Sequence, residues 1–483
     1  MASRAFAVLL LCAVATACQG GSGDGEATAP RPDGSLDWEA CGDVDCATLA
    51  VPRDHADPGG PTLYLALARR EAGGDRLGVL LLNPGGPGAG GVPLVADATA
   101  YLSEALLDRF DIVSWDPRGV GESTPIDCVD DLDSFFAADR SPDDAEEVDE
   151  NIDAARRLAA GCAERSGELL PHLSSRVTVQ DMDAIRAALG EEQLNYLGYS
   201  YGTYLGALYA DRYPDRVRAV VLDGAVDPSL GFEDLTRDQS LGFDRALNAF
   251  LDACERDGCG FGGSDPHRAY GQLLAQIDAE SLPADVGGEV RTLGPGEADL
   301  GVATALYSGT AGWDLLGAAL TDAARGDGSQ LLRLSDAYTG RRPGGQYSNE
   351  NEAFYGIGCL DAPAPAVDDL AAIASRVGEL APAFGASTTW LSAPCSVWPV
   401  PPDGAPQPVR AADAPPIVVL GTTNDPATPF EWAQSLAQQM ESANLVVYQG
   451  EGHTAYGRGD ACIDRAVDQY LVELRVPDEG TVC

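Results

Sequence analysis

One serine stands where a chain can expose a nucleophile. Gly198-Tyr199-Ser200-Tyr201-Gly202 is a G-x-S-x-G pattern. The stretch before it, "QLNYLGY", is a short apolar run suited to a buried strand. The stretch after it, "YLGALYADRYPDR", has helical spacing and closes at Pro214. Strand, sharp turn and helix are the context a nucleophile elbow needs. The turn leaves little room beside the serine, so glycines flank it, and the hydroxyl projects above the sheet. The plainer alternative is a serine capping a helix.

A serine nucleophile needs a base, and the chain has four histidines. His55 sits in the turn-like "RDHADPGG", and His172 and His267 each adjoin a proline. His453 alone follows an apolar strand, "NLVVYQG", in a late loop and C-terminal to the serine, as the order serine, acid, histidine requires. The acid that orients it is Asp425, at the end of "PIVVLGTTND", with Asp223, after "RAVVLDG", as its rival. Stabilising a tetrahedral oxyanion takes preorganised N–H donors. The amides of Tyr201, next to the serine, and of Gly86, in the loop "NPGGPG", are the candidates. That loop also fits another chemistry. Gly86-Pro87-Gly88-Ala89-Gly90-Gly91 matches G-x-G-x-x-G after a strand, with Asp116 where a ribose-binding acid belongs. Pro87 removes an N–H from that supposed phosphate cradle, and the reading leaves Ser200, Asp425 and His453 unexplained.

These residues need a frame that brings loop ends together. Apolar runs alternate with helical patterns through "LGVLLLNPGG", "FDIVSWDPRG", "TVQDMDAIRAALG", the elbow and "RVRAVVLDG". The third of these reads as a helix capped by Thr178 and ended at Gly190. This alternation predicts an α/β fold with a mostly parallel, doubly wound sheet. From Ser229 to Pro408 helical periods dominate, as in "LTRDQSLGFDRALNAFLDACERD" and "WDLLGAALTDAARG", which predicts an inserted helical cap and a Pro-rich return. The expected organisation is 1–17 signal peptide, 18–37 tether, 38–228 first part of the α/β core, 229–408 cap and linker, and 409–483 second part of the core.

Composition narrows the partners. The formal net charge of −44 argues against nucleic acid, which requires a basic footprint. There is no lysine, so a Walker A lysine, a pyridoxal Schiff base and a Ser-Lys dyad are excluded. Arg4, the apolar Ala5–Ala15 run and Ala15-Thr16-Ala17 form an export signal too short to span a bilayer. "ATAC" resembles a lipobox, with Cys18 as the lipidated residue and the sole link to a membrane. Without Cys12 and Cys18, ten of the twelve cysteines remain, an even number that suits disulfides in an exported chain. Proximity favours Cys41–Cys46 and Cys254–Cys259. Cys462 and Cys483 flank the last helix, and elimination leaves Cys128–Cys162 and Cys359–Cys395. No C-x-x-C pair is present, so no metal site is expected, and these residues call for no cofactor.

Together "LLLNPGGPGAGG", "FDIVSWDPRGVGES", "LNYLGYSYGTYLGALYADRYPDRVRAVVLDGAVDP" and "GTTNDPATPFEWA…GEGHTAYG…CIDRAVDQYLVEL" resemble secreted actinobacterial tripeptidyl aminopeptidases. These belong with the proline iminopeptidase-like serine peptidases of the α/β-hydrolase fold. The resemblance covers Trp38 to Cys483. It implies an exopeptidase acting on peptides with a free N-terminus, with Ser200, Asp425 and His453 as its triad. The proline iminopeptidase loop begins H-G-G-P-G, whereas this one begins at Pro84, which counts against single-residue proline specificity. Relatives hold the substrate ammonium with acidic cap residues, and Glu350, Glu352 and Asp361 are the candidates here. An esterase or lipase with the same triad is the enzymatic alternative, and a non-catalytic binding lipoprotein the alternative from another class.

Overall fold

The computed structural model describes residues 36–483. The signal peptide, Cys18 and nearly all of the tether fall outside the described residues.

Thirteen strands follow in chain order: β1 (Glu39–Cys41), β2 (Val44–Pro52), β3 (Thr62–Arg70), β4 (Gly78–Asn83), β5 (Phe110–Trp115), β6 (Leu194–Tyr199), β7 (Val217–Asp223), β8 (Leu282–Val286), β9 (Glu289–Leu293), β10 (Arg341–Arg342), β11 (Gln346–Tyr347), β12 (Ile417–Asn424) and β13 (Ala443–Glu451). Nine of them form one sheet in the order β1-β2-β3-β5-β4-β6-β7-β12-β13. The pairs from β5 through β13 are parallel, and β1, β2 and β3 add an antiparallel edge. This is the mostly parallel sheet that the alternation of strands and helices predicts, in the α/β-hydrolase fold that the resemblance implies.

Parallel strands covered on both faces must be apolar on both. In β4, Val79 and Leu81 enter one core and Leu80 and Leu82 the other, and all four are buried. The far edge at β13 is closed by the C-terminal tail. Val447 N–H donates to Thr481 O at 3.0 Å and Cys483 N–H to Val447 O at 2.8 Å. The Cys462–Cys483 disulfide holds that tail in place, which blunts an edge that would otherwise pair with another chain. The other four pairs also join as proximity and elimination suggested.

Between β7 and β12 the chain leaves the sheet and builds a mainly helical segment with its own core, including Phe250, Leu273, Leu316 and Leu332. Two small hairpins, β8–β9 and β10–β11, lie inside it. Helical periodicity did not reveal them, although Gly287-Gly288 between two five-residue strands is a hairpin signal. A second difference concerns the helix read from Thr178. It spans Ser175–Ala188, and Thr178 is buried inside it. Its first turn is capped from elsewhere: Asp361 Oδ1 accepts the Ser175 N–H at 2.9 Å, a partner no local pattern reveals.

The helix after the elbow, Tyr201–Arg212, lies tightly on β6 and β7. A Cβ on Gly206 would stand 2.6 Å from both Leu222 Cδ2 and Tyr196 Cε1. Gly206→Val is therefore expected to destabilise the fold by about 1–3 kcal/mol through overpacking, read as a lower denaturation midpoint. An unchanged midpoint would contradict this packing.

Candidate active site

The carboxyl ends of β4, β6, β7, β12 and β13 lie side by side, and the loops leaving them converge. Ser200 follows β6 with φ 54° and ψ −126°, a backbone conformation that a residue with a Cβ rarely adopts. Its neighbours compel that turn. A Cβ on Gly198 would strike the Gly202 carbonyl, which already accepts the Tyr196 hydroxyl at 2.7 Å. Ser200 N–H donates to the Asp223 carbonyl at 2.8 Å, and Ser200 O accepts Thr203 N–H at 2.8 Å. The serine thus ends β6 on top of the sheet, tied to the end of β7.

His453 leaves β13 toward the same place. A Cβ on Gly224, one residue beyond Asp223, would stand 3.3 Å from His453 Cε1. The imidazole is held through Nδ1, which donates to Asp425 at 2.9 and 3.0 Å to its two oxygens. Asp425 is fully buried and also accepts from Ala427 N–H (2.9 Å), Thr428 N–H (2.8 Å), Thr428 Oγ1 (3.0 Å) and Thr454 N–H (3.2 Å). An acceptor-only carboxylate on Nδ1 assigns the hydrogen to that atom and leaves the lone pair on Nε2. Nε2 has no hydrogen-bond partner among the described residues. Such an imidazole can take a proton from a hydroxyl brought to it.

Asp223 does other work. Its carboxylate accepts Ala455 N–H at 3.0 Å and Tyr456 N–H at 2.8 Å, so it anchors the loop just beyond His453 and does not touch the ring. Burial raises its pKa to about 6, and those two amides partly offset the rise. Thr428 and Tyr307 were not singled out from sequence. The Thr428 hydroxyl lies 3.2 Å from His453 Nδ1, and the Tyr307 ring meets the imidazole edge-on at 5.3 Å between centroids. Tyr307 O also accepts the His453 N–H at 2.9 Å. The "NDPAT" stretch carried a signal for Thr428, because a hydroxyl three residues after an acid can close a turn on it. Nothing local pointed to Tyr307.

The loop after β4 folds over the serine. A Cβ on Gly85 would come 2.9 Å from Ser200 Cβ and 3.2 Å from Tyr201 N. Gly85 N–H is taken by Asn83 Oδ1 at 3.0 Å, whereas the Gly86 and Tyr201 amides have no partner among the described residues. Unpaired N–H groups near a candidate nucleophile are what a developing oxyanion would need. The dinucleotide reading of this loop is excluded sterically. The Glu350 carbonyl and Phe354 amide pack against Gly88, leaving no space there for a pyrophosphate. Asp116 is buried and accepts Val92 N–H (3.0 Å) and Glu122 N–H (2.9 Å), so its carboxylate joins two loops.

The three candidate ammonium acids separate. All lie in the helix Glu350–Asp361. Glu352 is buried and accepts Cys128 N–H and Val129 N–H, both at 2.9 Å. Asp361 accepts Ser175 N–H at 2.9 Å and Ser175 Oγ at 2.5 Å, and burial lifts its pKa to about 7. Both carboxylates already accept donors from the protein. Glu350 is exposed beside the Gly88 loop, and its carboxylate has no hydrogen-bond partner among the described residues. The other histidines lie apart from this cluster. His55 bonds Asp181 at 2.8 Å beside the buried Arg118, and His267 bonds Asp252 at 2.8 Å. No helix among the described residues is long and apolar enough to cross a membrane.

Residues 381–483 match the family model described as TAP-like protein. The chain is 36% identical to serine protease Hip1 of Mycobacterium tuberculosis, over 94% of this chain and 92% of that one. It is 39% identical to Carboxylesterase B of the same organism, over 91% and 86%. It is 32% identical to the tripeptidyl aminopeptidase of Streptomyces lividans, over 93% and 86%.

Two outcomes follow from this geometry. Asp425→Asn should leave the fold intact and cut turnover by about 10⁴, as loss of the orienting acid does in such constellations. Asp223→Asn should lower the unfolding midpoint and cost turnover far less. Equal kinetic losses in single-turnover assays would overturn the distinction. Asp223 and Asp361 also set a pH dependence. Their folded pKa values, about 6 and about 7, lie above the ordinary carboxylate value of about 4. The native state therefore holds more protons than the unfolded chain between those limits, and stability falls as pH rises through the window. Thermal unfolding at constant ionic strength should give a higher Tm at pH 5 than at pH 8. A higher Tm at pH 8 would contradict the assignment.

Proposed function

The chain belongs to the TAP-like α/β-hydrolases and is a serine hydrolase, and on that premise we propose that it is an exported exopeptidase releasing di- or tripeptides from free N-termini. Ser200 attacks the scissile carbonyl. His453 Nε2 accepts the serine proton and returns it to the leaving amine. Asp425 holds the imidazole in the required tautomer and stabilises its charged form. The Gly86 and Tyr201 amides hold the oxyanion, and water then releases the acyl peptide from Ser200.

The observation that carries this reading is the Asp425–His453 pair at the carboxyl ends of β12 and β13, in the sheet whose β6 ends at Ser200. An exopeptidase needs a wall that ends the substrate channel and an anion for the ammonium. The inserted helices supply the wall. Of the three acids read from sequence, Glu350 keeps a carboxylate available at the rim. Export rests on the N-terminal signal and agrees with five disulfides, which persist in oxidising compartments. A lipid on Cys18 belongs to the same proposal. The esterase reading is favoured by one finding, the 39% identity to Carboxylesterase B. The same three residues serve either reaction.

The test compares three substrates: a tripeptide chromogenic amide with a free N-terminus, its N-acetylated twin, and a short acyl ester. The expected result is cleavage of the free amide, about a hundredfold or more loss of kcat/KM on acetylation, and no turnover by Ser200→Ala. Equal cleavage of the blocked peptide, or turnover of the ester alone, would reject the aminopeptidase reading and favour the esterase.

A further inference from the structure

His453 is held from two directions. Asp425 takes the ring through Nδ1, and the end of an inserted helix takes the backbone. The last carbonyls of any helix lack an intrahelical donor and must find partners elsewhere. At the end of the helix Pro295–Tyr307, the Ala305 and Leu306 carbonyls accept the Ser308 and Gly309 amides at 3.2 and 3.0 Å. The next carbonyl, Tyr307 O, turns to the histidine loop and accepts the His453 N–H at 2.9 Å. Arg458, five residues beyond His453, completes the link. Its Nη1 donates to His453 O at 2.6 Å, and its Nη2 donates to Ser308 O at 2.8 Å. Nη1 also reaches Tyr307 O at 3.4 Å. The histidine therefore gives its N–H to the helix end directly and its carbonyl to the helix end through one guanidinium.

The junction is close. A Cβ on Gly309 would stand 2.3 Å from Glu451 O, and one on Gly452 would stand 2.7 Å from Gly309 N and 2.9 Å from Arg458 Nη1. Thr454, the residue after His453, has φ 66°, which a residue with a Cβ keeps only where its surroundings enforce it. Asp425 holds the Thr454 amide at 3.2 Å and Asp223 the Ala455 amide at 3.0 Å. Arg458 adds the His453 carbonyl, so the turn is fixed on both sides of the imidazole. A guanidinium suits this task. Its planar fork carries five donors and can serve carbonyls that lie in different directions. A cation is also favoured at a helix C-terminus, where the carbonyl dipoles converge. Arg458 is half-buried and forms no ion pair among the described residues, so its fork is spent on backbone.

We propose that Arg458 is a positioning residue for the hydrolysis: it locks the His453 backbone to the end of the inserted helix and so sets the place from which Nε2 meets the serine hydroxyl. The inference rests on the reading of Ser200, His453 and Asp425 as the reacting group, and it holds for peptide and ester substrates alike. Asp425 and Arg458 divide the work. A carboxylate on Nδ1 fixes the tautomer and the rotation of the ring, but the ring still moves with its backbone. Arg458 and Tyr307 O hold that backbone. A displacement of about 1 Å at a reacting group can cost about a hundredfold in rate. Arg458 touches neither ring nitrogen, so its removal acts on the chemical step through His453 and leaves substrate binding alone. The inserted segment thereby contributes to the base itself, and its seating on the sheet is a condition for turnover.

The test uses the full mature enzyme with Arg458→Ala, Arg458→Lys and Ser200→Ala. The readouts are kcat and KM for p-nitrophenyl acetate and the rate of fluorophosphonate labelling, with circular dichroism to report the fold. In Arg458→Ala, kcat and the labelling rate are expected to fall by about tenfold to a hundredfold. KM should stay unchanged, the pattern of an interaction that serves the chemical step and not binding. Guanidinium chloride, at concentrations too low to unfold the wild type, should then restore much of the lost kcat, and sodium chloride at the same ionic strength should not. A side chain that only stabilised the fold would show no such rescue. A folded Arg458→Ala with wild-type kcat, or a loss that guanidinium leaves untouched, would overturn the inference. Should Arg458→Ala fail to fold, Arg458→Lys decides, because it keeps the charge and loses the fork: a lower kcat at unchanged KM is expected, and wild-type kcat would overturn the proposal. If Ser200→Ala still turns over the ester, the reading of the site fails and this inference with it. If Ser200→Ala is inactive and Arg458→Ala is fully active, only this inference falls.

Discussion

The strained backbone at Ser200 is the constraint around which the rest is arranged. A residue with a Cβ at φ 54°, ψ −126° costs about 1–3 kcal/mol and persists only where its surroundings over-determine it. Here the Asp223 carbonyl holds the serine amide, Thr203 holds its carbonyl, and the Tyr196 hydroxyl holds Gly202. The same turn aims the Tyr201 amide and lets the β4 loop approach Ser200. The Tyr201 hydroxyl meets the Ser175 hydroxyl, which Asp361 also bonds. One turn of backbone is thereby braced from the sheet, from the preceding helix and from the inserted segment.

Acidic side chains carry much of this bracing, each by a different use of the same group. Asp425 is an acceptor for an imidazole and four protein donors. Asp223 fastens the loop after His453, Asp116 joins two loops, and Glu352 ties the inserted segment to Cys128 and Val129. With a net charge of −44 and no lysine, the chain has few cations to pair with. Backbone amides and hydroxyls take that role, and the cost of burial appears as raised pKa values at Asp223 and Asp361.

The inserted segment is no mere cover. Its helix Pro295–Tyr307 ends in the carbonyl that fixes the His453 backbone and in the ring that abuts the imidazole. Movement of that helix would displace the imidazole.

The sheet was legible from sequence because parallel strands are apolar on both faces, and "LGVLLLN" or "PIVVLG" has no other economical use. Ser200, Asp425 and His453 were candidates for a related reason. Each was expected at the end of a strand, and the parallel neighbours β12 and β13 do bring Asp425 and His453 together. The use of the remaining acids was not legible. Glu350, Glu352 and Asp361 look alike within one twelve-residue helix, yet Glu352 finds amides 224 positions away and Asp361 a helix start 186 positions away. The start of the Ser175 helix was misplaced for the same reason, since its cap comes from Asp361. Periodicity reports which face of an element is buried. What a buried carboxylate bonds depends on which donor comes within about 3 Å, and only the packed chain decides that.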